Sequence, residues 1–142
     1  MDQKQIKILV VDQEADIRGF LQTVLTNRHF DVVLAMDEHE GLQKFQAHCP
    51  DMLILDAMLP QQGMQTLLTY AEKIPVLFIS AIPLKVLFFR HKLQIGTGVY
   101  ASATEVPFLE KPLQEDELIG QINRLMKKNK NDGSILYFTN KI

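Results

Sequence analysis

The stretch DMLILDAMLP, residues 51–60, decides how this chain folds. Its apolar run from Met52 to Leu55 ends abruptly at the carboxylate of Asp56. A short apolar run bounded by turn signals is typical of a strand that is buried on both faces of a parallel sheet. Open sheets of this kind place their chemistry at the carboxyl ends of the strands, so Asp56 is predicted to lie at a functional edge.

A second apolar run, upstream, ends in the same way. Residues 6–12, IKILVVD, predict a strand that closes on Asp12. Carboxylates at the ends of two neighbouring strands can share a divalent cation or perturb each other's pKa. The sequence therefore predicts one acidic site built around Asp12 and Asp56.

Strand and helix patterns alternate along the rest of the chain. Further apolar runs predict strands over residues 31–35, 76–80 and 106–110. Apolar side chains recur at the spacing of amphipathic helices in residues 15–28, 38–49, 64–71 and 115–128. This alternation predicts right-handed βαβ units and one parallel sheet between two helical layers, an α/β fold.

Local signals refine three of these elements. Asp37 offers an N-cap oxygen, and Glu40 three residues later completes a capping box. Residues 60–63 begin with proline and end with glycine, which indicates a loop. Residues 84–89 are too densely apolar for a clear period, so they fit either buried core or the surface of a homodimer.

Composition limits the classes of protein that the chain can be. With 142 residues, 46% of them hydrophobic and 23% charged, it has the size and balance of an ordinary globular domain. We predict that residues 1–128 form this domain and that residues 129–142 are a polar linker and an apolar tail. A net charge of −2 offers no electrostatic argument for binding nucleic acid or an anionic membrane. A single cysteine and the lack of a long apolar segment predict a cytoplasmic location.

Four pieces of the sequence carry a resemblance to a known family. They are VVDQE, LILDAMLP, IPVLFISA and FLEKPL, at residues 10–14, 53–60, 74–81 and 108–113. In this order, and at the ends of predicted strands, they resemble the receiver domain of bacterial two-component response regulators over residues 5–128. The resemblance implies a flavodoxin-like, doubly wound, five-stranded parallel sheet of order 2-1-3-4-5.

The resemblance also implies a role for each residue of the site. Asp56 matches the phosphoacceptor, whose carboxylate becomes an acyl phosphate, and Asp12, Asp56 and Lys111 should meet in one pocket. The Mg²⁺ ligands would be Asp12, Gln13, Asp56 and the backbone carbonyl of Met58. The groups that contact the phosphoryl group or switch with it would be Ser80, Phe108 and Lys111. The partners would be a histidine kinase or phosphotransfer protein and a further protein downstream.

Position 13 departs from the family pattern. The family has a second acid there, whereas Gln13 brings an amide oxygen without a charge. A net loss of about 1.4 kcal/mol would weaken Mg²⁺ binding roughly tenfold. Glu14 could compensate by reaching inward. Two versions therefore stay open: a receiver that is phosphorylated at Asp56 with a weakened Mg²⁺ site, and a degenerate receiver that binds its partner without phosphorylation.

Other functional classes fit the sequence less well. A flavin-binding flavodoxin would need a phosphate loop after the first strand, where the acids of residues 12–16 would repel phosphate. A phosphohydrolase of the haloacid-dehalogenase type would need a second aspartate at the position of Met58. We therefore expect a signalling module and not an enzyme. The stretch from Ser80 to Phe108 is longer than in typical receivers, which indicates an unusual partner.

Overall fold

The computed structural model describes residues 4–90 and 106–132, with the side chains of residues 88–90 and 128–132 left out. Strands and helices alternate along it as β1 (Lys7–Val11), α1 (Ala15–Asn27), β2 (Asp31–Ala35), α2 (Glu38–His48), β3 (Met52–Asp56), α3 (Gln61–Tyr70), β4 (Val76–Ser80), α4 (Leu84–Arg90), β5 (Phe108–Glu110) and α5 (Glu115–Asp132). The strands form one parallel sheet of order β2-β1-β3-β4-β5. This confirms the doubly wound, flavodoxin-like fold.

Successive residues of the central strands point to opposite faces of the sheet, and both faces are covered. Leu9, Leu53 and Phe78 belong to the hydrophobic cluster that also takes in α3 and the buried Leu87 of α4. Their neighbours along the strands, Ile8, Met52 and Leu77, belong to a second cluster with α1 and α5. Burial on both faces explains why these strands read as continuous apolar runs instead of alternating ones.

The strand register places the polar residues at one edge of the sheet. Val11 lies beside Leu55, so Asp12 and Asp56 leave neighbouring strands at the same level. Ser80 lies beside Glu110, which brings Lys111 to the same edge. The predicted functional edge is therefore the carboxyl edge of β1, β3, β4 and β5.

The prediction of a loop over residues 60–63 is wrong, because helix α3 begins at Gln61. The backbone N–H of Met64 donates to the carbonyl of Pro60 at 2.9 Å and closes the first helical turn. Gly63 lies inside α3, where its lack of a side chain matters for packing against α2 and not for a turn. A Cβ atom on Gly63 would lie 2.0 Å from Cγ and 2.8 Å from Cβ of Glu38, so the glycine lets α3 approach α2 closely.

Two further predictions needed correction at helix ends. Asp37 caps α2 as predicted, its Oδ1 accepting from the N–H of Glu40 at 2.8 Å, but Glu40 accepts from the N–H of Met36 and not from that of Asp37. Helix α5 continues to Asp132 and thus includes residues 129–132, which were predicted to be linker. Lysines between 127 and 130 favour this extension, since cations stabilise a helix C-terminus.

Some predictions fall partly or wholly outside the described residues. The apolar tail, residues 134–142, and the second half of the long connection, residues 91–105, lie outside them. In α4, Leu87 is buried and Leu84 packs against the core, so these two side chains are not an open surface. The homodimer stays a prediction. None of the helices in residues 4–90 and 106–132 is both long and apolar enough to cross a membrane.

The contact between Gly63 and Glu38 can be tested with matched glycine variants. Gly63→Ala should lower the free energy of unfolding by about 1–3 kcal/mol, because overpacking outweighs the higher helix propensity of alanine. Gly120→Ala is the control, since nothing lies within 4 Å of its added Cβ, and it should raise stability by about 0.5–1 kcal/mol. Urea unfolding followed by circular dichroism measures both. Equal effects of the two substitutions would contradict the packing argument.

Candidate functional site

A fully buried carboxylate, that of Asp12, forms the floor of the site. Its Oδ1 accepts a hydrogen bond from the backbone N–H of Glu14 at 2.8 Å. Its Oδ2 is also buried and accepts no well-directed hydrogen bond from the part of the chain that the structure describes. A buried charge of this kind is costly unless a cation lies beside it, and the ammonium of Lys111 is 2.9 Å away.

Lys111 connects the acids of the site. Its Nζ lies 2.5 Å from Oε1 of Glu14, 2.9 Å from Oδ2 of Asp12 and 3.8 Å from Oδ2 of Asp56. Its backbone N–H donates to the carbonyl of Ser80 at 2.8 Å, which ties the end of β5 to the end of β4. The side chain is 7% exposed, so its charge is held largely away from water. Asp12, Asp56 and Lys111 thus meet in one pocket.

Asp56 ends β3 with a buried side chain. Its Oδ1 accepts a hydrogen bond from the backbone N–H of Met58 at 2.9 Å, while Oδ2 is the oxygen nearer Lys111. Burial raises the pKa of Asp56 above its ordinary value, and the charge of Asp12 acts in the same direction. The Met58 N–H and the Lys111 ammonium oppose this rise. The result is a carboxylate that is more basic than a typical aspartate.

The same surroundings also raise the pKa of Lys111, but for a different reason. Burial alone would lower its pKa, but the hydrogen bond from its ammonium to Glu14, the close ion pair with Asp12 and the attraction of Asp56 outweigh burial. The pKa of Lys111 therefore lies above its ordinary value. Lys111 carries a full positive charge throughout the physiological pH range.

Ser80 and Phe108, the residues predicted to sense a phosphoryl group, lie at this end of the sheet or just below it. Ser80 is fully buried, and its Oγ accepts a hydrogen bond from the backbone N–H of Ile82 at 3.0 Å. Phe108 is half-buried and packs against the hydrophobic cluster on the α3 face. Their present contacts are those of a turn residue and a core residue.

The remaining predicted residues lie on the rim. Gln13 is exposed, and Met58, two residues after Asp56, is 45% exposed. Glu14 is 60% exposed, yet its carboxylate reaches inward to Lys111. A residue that the sequence did not suggest, Arg18, donates from its guanidinium to the backbone carbonyl of Asp12 at 2.7 Å. The sequence signal that could have indicated this contact is the position of Arg18 one turn into α1, close to Asp12.

The chemistry of the site fits a hard divalent cation such as Mg²⁺. Mg²⁺ prefers oxygen ligands, and the buried Oδ2 of Asp12 lacks a well-directed hydrogen bond, as a ligand oxygen would. The acids are fewer than usual, however. Among residues 4–90 and 106–132, no group of three or more His, Cys, Asp or Glu side chains is arranged to hold a metal. Gln13, which follows Asp12, is exposed and brings an amide instead of a carboxylate.

This chain matches a family model and resembles proteins that are named as transcriptional regulators. The model of the response regulator receiver domain matches residues 8–123. A probable transcriptional regulator ycf27 of Cyanophora paradoxa is 31% identical over 134 residues, which are 92% of this chain and 52% of the relative. The transcriptional regulatory protein TrcR of Mycobacterium tuberculosis is 28% identical over 132 residues, 90% of this chain and 48% of the relative. The chain spans about half the length of these curated relatives.

Solved structures share the fold. A CheY-like response regulator receiver domain protein from Methanospirillum hungatei JF-1 superposes with a TM-score of 0.72 at 16% identity, covering 91% of this chain and 99% of that one. The signal receiver domain of an HD domain-containing protein from Pseudomonas fluorescens Pf-5 also gives 0.72, at 22% identity and with 90% and 99% coverage. Receiver domains are signalling modules of two-component systems and typically bind Mg²⁺ at their phosphorylation site. The match to the family model over most of the chain shows that this protein belongs to the response regulator receiver domain family.

Proposed function

We propose that this chain is a two-component receiver that accepts a phosphoryl group on Asp56. The observation that carries the proposal is the placement of the Lys111 ammonium between the carboxylates of Asp12 and Asp56. In the proposed reaction, an Asp56 oxygen attacks the phosphorus of a phosphohistidine. The P–N bond breaks and its electron pair goes to the imidazole nitrogen that carried the phosphoryl group, while the proton on the other ring nitrogen makes the leaving imidazole neutral, and an acyl phosphate forms.

The contacts of Asp56 suit it to this role. The Met58 N–H holds Oδ1 and so fixes the orientation of the carboxylate, which leaves Oδ2 on the side of Lys111. Transfer of a phosphoryl group places charge on its equatorial oxygens, and a nearby ammonium neutralises part of it. Ser80 would exchange its bond with the Ile82 N–H for one to a phosphoryl oxygen, and Phe108 would follow that movement.

The same pocket would hold Mg²⁺ through Asp12, Asp56, the Gln13 amide oxygen and the Met58 carbonyl. When bound, the ion would supply the larger part of the charge neutralisation that phosphoryl transfer needs. Gln13 lowers the negative charge available to it. Glu14 restores the number of carboxylates near the pocket to three without standing at the usual ligand position, and in this sense it is the compensating acid.

The donor would be a histidine kinase or a phosphotransfer protein. The relatives that this chain matches are named as transcriptional regulators and are about twice as long as the matched region. We therefore infer that phosphorylation at Asp56 controls a further protein or protein segment. Gln13 favours a second version, in which the receiver is degenerate and its surface is recognised without phosphorylation.

Phosphorylation can be tested by intact-mass spectrometry. With Mg²⁺ and acetyl phosphate or phosphoramidate, the protein should gain the mass of one phosphoryl group. Asp56→Asn should gain none, because the amide is not a nucleophile, and Asp51→Asn serves as the control at the opposite edge of the sheet. Absence of the adduct with every donor, in a protein that remains folded, would leave only the degenerate version.

The weakness of the Mg²⁺ site can be tested by restoring the missing acid. Gln13→Asp should tighten Mg²⁺ binding roughly tenfold, since a net gain of about 1.4 kcal/mol corresponds to that factor. Isothermal titration calorimetry measures the affinity. Gln43→Asp, on an exposed face of α2, is the control for added charge and should leave Mg²⁺ binding nearly unchanged. Equal affinity of Gln13→Asp and the original protein would contradict a role for position 13 in the metal site.

A further inference from the structure

The shortest contact of the Lys111 ammonium is with Glu14, a residue to which no role in the transfer itself has been given. Oε1 of Glu14 lies 2.5 Å from Nζ, closer than either aspartate. We call this ion pair the Glu14 latch. The Glu14 side chain is 60% exposed and the Lys111 side chain is 7% exposed, so the ion pair joins a solvent-exposed carboxylate to a buried ammonium.

The backbone holds Glu14 in position for this contact. Its N–H is bound by Oδ1 of Asp12, and its carbonyl accepts from the N–H of Arg18 at 3.1 Å in the first turn of α1. Glu14 occupies the N-cap position of α1, but its side chain makes no cap hydrogen bond. The carboxylate is therefore directed to Lys111 instead of to the helix end.

An ammonium group has three N–H donors, and here three carboxylates surround it. A phosphoryl group on Asp56 would take over that residue's own contact at 3.8 Å, and its oxygens would then compete with the closer carboxylates of Glu14 and Asp12 for the ammonium. Asp12 is fully buried and would lose its cation without gaining water. Glu14 is exposed and can turn into solvent, where its charge is hydrated. Glu14 is the acid that can leave at the lowest cost.

We propose that Glu14 is a positioning residue that restrains Lys111 in the unphosphorylated protein and competes with the phosphoryl group for its ammonium. The inference rests on the proposed function of Asp56. It assigns Glu14 a defined effect, since its carboxylate and a phosphoryl oxygen draw on the same ammonium. The interaction between Glu14 and Lys111 then favours the unphosphorylated state over the phosphorylated one.

The test measures binding of beryllium fluoride, a mimic of the phosphoryl group, by calorimetry at saturating Mg²⁺. Glu14→Gln should bind it roughly two- to tenfold more tightly than the original protein, the range expected for removal of a partly exposed ion pair. Asp16→Asn removes one negative charge from the same turn of α1, has no contact with Lys111, and controls for net charge. Glu14→Asp keeps the charge but shortens the reach, and its affinity should also rise.

A double-mutant cycle in urea shows independently whether the latch exists in solution. Glu14→Gln, Lys111→Gln and the double variant should give non-additive unfolding free energies.

If beryllium fluoride binds Glu14→Gln and Asp16→Asn equally well, or binds Glu14→Gln more weakly than the original protein, the proposed role of the Glu14 latch is wrong and the receiver function stands. If neither the original protein nor Glu14→Gln binds beryllium fluoride, the phosphoacceptor function fails and the latch fails with it.

Discussion

The buried ammonium of Lys111 is the constraint on which the site depends. It is the cation that lies beside the buried Oδ2 of Asp12, and it lies within 3.8 Å of Asp56. Removing one partner of such a pair leaves an uncompensated buried charge, which typically costs about 3–5 kcal/mol. The Lys111 N–H bond to Ser80 joins this electrostatic centre to the sheet, so the geometry of the site and the ends of β4 and β5 are fixed together.

The fold could be predicted from the sequence because burial of the strands on both faces of the sheet requires continuous apolar runs, which are visible in the sequence. The runs of β1, β3 and β4 close on polar residues that the parallel register brings to one edge. The failures were local. Gly63 was assigned to a loop from its residue type, whereas its function depends on Glu38 in a different helix. A contact between elements leaves no periodic signal in either segment.

Some residues of the candidate site could likewise be predicted from the sequence, whereas some of its contacts could not. Asp12 and Asp56 were predictable because each closes an apolar strand, and Lys111 was predictable because it matches the family pattern at the end of the fifth strand. The partner of Glu14 was not, since a glutamate after a strand can face solvent, a metal or a neighbouring side chain with equal ease. Arg18 was missed for a related reason, because its guanidinium contacts a backbone carbonyl and no sequence motif encodes that acceptor.

Charge balance explains how the substitution at position 13 and the contact of Glu14 belong together. A receiver pocket with three acids and one lysine carries two net negative charges, which one divalent cation neutralises. In the proposed site, Gln13 brings no charge and Glu14 supplies a carboxylate from the rim, so the number of acids is conserved while their position changes. A fixed ligand acts only on the metal. In the proposed mechanism, the exposed carboxylate of Glu14 acts on Lys111 and can leave, so a charge that is missing at position 13 becomes a means of setting the balance between the unphosphorylated and phosphorylated states.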